Sequence, residues 1–386
     1  MKTPTVEHLD THRASRRFRG RPLTSLVALI LTALVVVAGC APLPPAPTRD
    51  DQVEQLVAFV EAHRGHQFVT RPVVEFVPDA EFRQHVLDSL QAAEPELDVD
   101  EVAFKALGWM SPHDSLFDKY KIAFGNAVVG FYDPESKVLE VRGDELTPYR
   151  REVVVHELTH ALDDQIFDLS PSKGPGVLSE EQLAYLVAVE GDAADIQRAF
   201  VASSSPLDQL GSLIEQLSFP LDPEILTVPV ALLSISQTPY LRGPEFVEGL
   251  GGPSAVDQMF GRFPTTAEQA WDVRKYLADE PAEHVDSPPA AGDVVASGSW
   301  GQFFMSLILS NGINLNGSVD PVTDGWAGDS YVTWTTAGES CIRIDTRQDT
   351  PALADQLRAA LDAWATTSGS QIQSLDSTTV RLTRCA

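Results

Sequence analysis

Apolar residues at positions 53, 56, 57 and 60 recur three and four apart. They predict a helix over residues 49–63, with Asp50 or Asp51 as its cap. Residues 72–77 read as a strand, and helical spacing returns at 79–92 and 99–109. Two strands follow, 127–132 and 137–141, joined by the turn Asp133-Pro134-Glu135-Ser136. Thr147-Pro148 opens a helix expected to reach about residue 167, Thr147 as N-cap and Pro148 where a missing N–H costs nothing. A second long helix starts at Ser179, with Gln182 completing a capping box, and runs to about residue 202. Residues 205–262 read as helices broken at Pro220, Pro223, Pro229 and Pro239. Past Gly328 the period shortens. Residues 331–336 and 341–345 are strands, 351–366 an amphipathic helix and 378–383 a last strand. The expected fold class is α+β, with an N-terminal α/β portion and a small C-terminal β-β-α-β unit over residues 331–386.

Charge separates the front of the chain from its body. The formal net charge of −27 argues against nucleic acid as a partner, because a phosphate backbone needs a basic footprint. Residues 1–40 nevertheless carry six Lys/Arg against Glu7 and Asp10, which leaves about −31 on the rest. The basic stretch precedes an apolar run over residues 23–39, short for a spanning helix and ending in small residues. Val37-Ala38-Gly39-Cys40 then resembles a bacterial lipobox, followed by a Pro/Ala-rich linker at 41–50. That resemblance implies a signal peptide over residues 1–40, acylation of Cys40 and an extracytoplasmic chain held on the cell membrane by lipid. An ordinary signal anchor is the alternative, and the export route stays open. Cys341 and Cys385 remain; outside the cytoplasm such a pair is expected to form a disulfide tying down the last strand.

The chemistry sits in His156-Glu157-Leu158-Thr159-His160, inside the predicted 147–167 helix. Residues i and i+4 lie about 40° apart on a helix, so both imidazoles can face one cation. Glu157 lies about 100° round from His156, where its carboxylate can take a proton from a water beside the metal without ligating it. Zinc, one per chain, is the expected ion. A chance pair of histidines is the alternative, but Val153, Val154, Val155 and Leu158 flank them, and buried imidazoles need partners. Glu190 is the candidate third ligand, an acid on the apolar stretch of Leu183, Leu186, Val187, Ala193 and Ala194; a solvated Glu190 beside Asp192 is the alternative. Gly191 next to it permits close helix approach. Asp163 can orient an imidazole from behind, or be solvated with Asp164. His63 and His66 lack acidic or Cys partners and read as surface residues.

With Glu190 thirty residues downstream, the His-Glu-Leu-Thr-His segment resembles the gluzincin group of zinc metallopeptidases, and within it a poorly characterised bacterial family of exported peptidase-like proteins. The likeness takes in Gly130-Phe131-Tyr132-Asp133-Pro134, Pro239-Tyr240-Leu241-Arg242-Gly243, Thr266-Ala267-Glu268-Gln269 and Gly325-Trp326-Ala327-Gly328-Asp329, roughly residues 127–330. It implies a zincin-like catalytic domain over 51–330, zinc on His156, His160 and Glu190, Glu157 as general base and a peptide or protein substrate. It also implies that strand 127–132 is an edge that takes extended peptide. One departure matters: where the family carries a His-Pro pair before Lys-Tyr, this chain reads Asp272-Val273 before Lys275-Tyr276. Tyr240 and His284 are the candidate substitutes for an oxyanion donor, with core packing the alternative for Tyr240. The intact Glu157 favours a zinc peptidase. The altered pair favours a catalytically silent zincin-like lipoprotein that binds a partner or scaffolds the envelope; a non-peptidase hydrolase is a third possibility.

Overall fold

In the computed structural model, which describes residues 47–125, 127–169, 178–219 and 223–386, the chain is α+β. Its first half runs α1 (Arg49–Arg64), β1 (Val73–Val77), α2 (Asp79–Gln91), α3 (Glu94–Ala106), α4 (Leu116–Phe124), β2 (Gly130–Asp133), β3 (Val138–Arg142), α5 (Pro148–Phe167) and α6 (Glu180–Ser203). The helices α7 (Pro206–Ser218), α8 (Val230–Leu250), α9 (Pro253–Gly261), α10 (Ala267–Trp271) and α11 (Val273–Leu277) follow. The last part is β4 (Asp293–Gly298), α12 (Gln302–Leu309), β5 (Trp326–Thr336), β6 (Glu339–Gln348), α13 (Pro351–Ser368), β7 (Gln371–Ser374) and β8 (Thr379–Cys385). The expected signal peptide, Cys40, most of the linker and Pro220 lie outside the described residues. Among those described, no helix is long and apolar enough to cross a membrane.

Local chemistry sets the two long central helices. Thr147 Oγ1 accepts the Arg150 N–H at 3.3 Å, with Pro148 in the first turn, and Ser179 Oγ accepts the Gln182 N–H at 3.2 Å. Helix α1 already starts at Arg49, so Asp50 and Asp51 occupy its first turn and do not cap it. The small sheet has the order β1-β3-β2, β1 parallel and β2 antiparallel to β3, which leaves β2 at an edge. Val154, Val155, Leu158 and Leu162 of α5 pack against Leu139 and Val141 of β3 and Leu56, Val57 and Val60 of α1. The opposite side of α5 is thereby left for α6.

Two expectations fail for tertiary reasons. Helix α8 runs unbroken through Pro239 and Pro244. The Ser236 and Thr238 hydroxyls bond the carbonyls of Leu232 and Ser234 one turn back, and packing on α6 holds the rest. At the C-terminus the β-β-α-β unit is larger than expected. Strand β4 joins β5 and β7 joins β8, giving an antiparallel sheet of order β4-β5-β6-β8-β7. The boundary expected between residues 330 and 331 falls inside β5, and Arg49–Ala386 form one compact unit. Cys341 and Cys385 face each other across β6 and β8 and are joined by a disulfide, Cα atoms 4.0 Å apart.

Buried acids staple these parts together. Asp329 accepts from Ser299 Oγ, the N–H groups of Trp300 and Gly301, and Trp326 Nε1, all within 2.9 Å. The segment Gly325–Asp329 thus has a structural role, and from Trp326 on it belongs to β5. Glu180, in the first turn of α6, accepts the Ala267 N–H at 2.6 Å, and its Oε2 has no hydrogen-bond partner. Burial, then the nearby charge of Asp329, pushes its carboxyl well above the ordinary range. A raised folded-state pKa means the folded chain binds the extra proton. Stability from this group is therefore lost as pH rises above the unfolded value, about 4.3. Glu180→Gln keeps the acceptor for Ala267 and removes the charge. It is expected to stabilise the protein by about 1–3 kcal/mol at pH 8 and hardly at all at pH 4. Denaturant unfolding of both chains at the two pH values measures this, and an equal difference at both would refute it.

Candidate metal centre

His156 and His160 lie one turn apart on α5, and Glu190 reaches them from the middle of α6. His156 Nε2 is 3.0 Å from Glu190 Oε2 and 3.1 Å from His160 Nε2, and His160 Nε2 is 3.4 Å from the same carboxylate oxygen. Among the described residues, these three are the one group of His, Cys, Asp or Glu whose ligand atoms converge in this way. The triangle has the right size for a cation. Ligands about 2.0–2.1 Å from a tetrahedral zinc stand about 3.3 Å from one another. The spacing also suits hydrogen bonds, since each imidazole can donate an Nε2–H to Glu190 Oε2. The side chains of His156, His160 and Glu190 are 8%, 12% and 16% exposed, so the triangle is recessed yet open to solvent. Burial works to raise the Glu190 carboxyl, but the two imidazoles outweigh it and hold the group below the usual carboxylate range.

Glycines allow α6 and the proline-containing α8 to meet here. A Cβ on Gly191 would lie 2.5 Å from the backbone of Gly243, and one on Gly243 would strike Gly191 in turn. The crossing sits one residue past Glu190 and three past Tyr240. It brings the Tyr240 hydroxyl to Glu190, whose charge holds the phenol well above its ordinary pKa. The Tyr240 ring lies 5.8 Å from that of His156 and is 47% exposed. Tyr240 thus stands at the mouth of the site. His284 does not join it: that imidazole is exposed and faces Asp286 at 3.2 Å. Asp272, read in the sequence as a departure, caps α11 and pairs with Arg274.

Glu157 points from α5 toward the sheet edge. Its Oε2 accepts the Tyr132 N–H of β2 at 2.9 Å, and Gly130 keeps the strand close, since a Cβ there would meet Val153 at 2.9 Å. Burial, less the pull of His156, raises its carboxyl to about 7. Tyr132 in turn gives its hydroxyl to Asp164 at 2.5 Å, where Lys137 Nζ also arrives at 2.7 Å.

Asp163 does something other than orient an imidazole. It is fully buried and accepts from Arg64 Nε at 2.7 Å. The same guanidinium lies 2.8 Å from Asp192 and 2.7 Å from Asp257, and Asp257 also holds His66 at 2.9 Å. Phe167 and Phe260 lie within 5.4 Å of its Cζ. Burial and the charge of Asp192 raise the Asp163 carboxyl well above normal, with Arg64 pulling it down. Arg64 therefore clamps the helix of the two histidines to the helix of Glu190. Neither Arg64 nor Tyr132 is marked in the sequence by spacing. His156 Nδ1 is buried with no hydrogen-bond partner among the described residues.

Residues 289–384 match a domain of unknown function, DUF8575, which spans the antiparallel sheet from β4 into β8 and contains none of these site residues. No curated protein and no solved structure matches the chain.

Proposed function

We propose that the chain is a zinc-dependent peptidase of gluzincin type, on a zincin-like fold, held at the outer face of the cell membrane through an acylated Cys40. The observation that carries this reading is the triangle of His156, His160 and Glu190 beside a carboxylate, Glu157, that belongs to none of its edges. A structural metal site has no use for such a neighbour. Bound zinc supplies Lewis acidity, lowering the pKa of a water and polarising a carbonyl. In this chain Glu157 would take a proton from the attacking water and return it to the leaving amine. Strand β2 is an edge, able to hold an extended peptide by strand addition next to Glu157. Tyr240, at the mouth, is the candidate donor to the oxygen that becomes negative.

A second reading is a silent zincin-like lipoprotein that binds a partner in the envelope. It is favoured by Asp272, which is committed to Arg274 where the resembling family has a histidine. Metal content and turnover separate the two. Mature protein is expected to carry one zinc per chain by elemental mass spectrometry, and Glu190→Ala to lose about 10²-fold or more in zinc affinity. Cleavage of an unstructured peptide library supports the peptidase. Zinc retained without any cleavage leaves the binding protein, and absence of zinc in both chains overturns both readings.

A further inference from the structure

Helix α7 is built inside out. Asp208, Gly211, Ser212 and Glu215 turn toward α5. Arg151 meets Asp208 there at 2.6 Å, Ser212 bonds the buried Glu152, Arg150 approaches Glu215 at 3.9 Å, and Gly211 packs on Pro148. Leu207, Leu210, Leu213, Ile214 and Leu217 fall on the opposite face at helical spacing, each between 52% and 81% exposed. A helix ordinarily buries such a stripe, and an apolar patch left outside marks an interaction surface.

The covering is indicated by where the chain joins its body. Arg49, the first residue of α1, donates to the Asp144 carbonyl at 3.3 Å, and the next carbonyl, Glu145, accepts from Arg150 at 3.0 Å. Arg150 is also the residue that faces Glu215 of α7. Arg49, where the compact unit begins, therefore lies at the same end of α5 that carries α7. Nine residues from Cys40 to Arg49 reach at most about 30 Å even when fully extended. We propose that α7 lies in the boundary of headgroups and acyl chains of the membrane that holds Cys40, with its five apolar side chains inserted. The inference rests on the lipid anchor proposed above.

The exposed face bears no charged residue, so the contact is apolar; the acidic body adds no attraction to an anionic bilayer, and salt does not weaken the contact. His156 is eight residues beyond Pro148, about 12 Å along the helix. The metal site would thus work close to the bilayer, on membrane-proximal segments of its substrates.

The test uses the mature full chain in phosphatidylcholine–phosphatidylglycerol vesicles, with an environment-sensitive fluorophore on Leu213→Cys or, as control, on Leu375→Cys between β7 and β8. At position 213 we expect a blue shift and severalfold stronger quenching by spin-labelled lipid than at 375, not weakened by high salt. Adding Leu207→Ser and Leu217→Ser should reduce that quenching without changing the unfolding transition. Mass spectrometry of the mature N-terminus keeps the two proposals apart. An acylated chain whose position 213 is as wet as 375 sinks the docking and leaves the anchor standing. An unacylated chain still protected at 213 does the reverse. Protection that develops without vesicles and grows with protein concentration shows that a second copy covers the face, and overturns the proposal.

Discussion

Glu157→Gln is expected to leave zinc at one per chain and to lower the rate of peptide cleavage by at least about 10²- to 10⁴-fold, the usual contribution of a positioned general base. Glutamine has the same shape and an oxygen that can still accept the Tyr132 N–H at the sheet edge, so the side chain keeps its place. It cannot take a proton. Loss of activity with the metal and the fold intact therefore isolates the proton transfer. Tyr240→Phe makes the companion measurement. If its hydroxyl serves the developing oxyanion, kcat falls by about 10²- to 10³-fold while KM changes little. A Glu157→Gln chain that cleaves at the wild-type rate would remove the carboxylate from the reaction. Cleavage by such a chain would then have to come from another site or a contaminating enzyme.

The helix of His156 and His160 is legible because everything that makes it is local. Thr147, Pro148 and the i, i+4 histidines act within one turn of their neighbours, and α5 ends at Phe167 as its periodicity says. Glu190 was legible for a different reason: an acid in an apolar run has to be compensated, and the two imidazoles do it. The disulfide followed from two cysteines in strand-like sequence. The rest depends on contacts that no window of sequence holds. Asp163 lies three residues past His160 in the sequence, but its partner, Arg64, is 99 residues away. By the local rule Pro239 breaks a helix; packing of α8 across Gly191 overrides it. Strand β4 carries two exposed valines and little alternation, and exists because β5 offers it an edge. Helix α7 shows the limit most clearly. Its apolar spacing announces amphipathicity, which is correct, and a buried stripe, which is not.

Arg64→Met is expected to cost about 3–5 kcal/mol of stability, because it strips the cation from a cluster of buried carboxylates. Asp163 and Asp192 are 0% and 5% exposed, and the arginine is their common ion-pair partner. The effect should reach the metal centre without touching it. Asp163 is one turn past His160 and Asp192 two residues past Glu190, so the guanidinium fixes how α5 and α6 face each other. A loosened clamp is expected to weaken zinc binding by about 10- to 100-fold, the size of effect seen when groups behind metal ligands are removed. Arg64→Lys should recover little, since a point charge cannot bridge three carboxylates as the planar fork does. Pairing Arg64→Met with Asp163→Asn should recover part of the stability, because it removes one of the stranded charges. Chelator competition and denaturant unfolding on the four chains separate the clamp from a general core defect. If zinc affinity stays at the wild-type level while stability falls, Arg64 holds the fold together but does not set the distance between the histidines and Glu190.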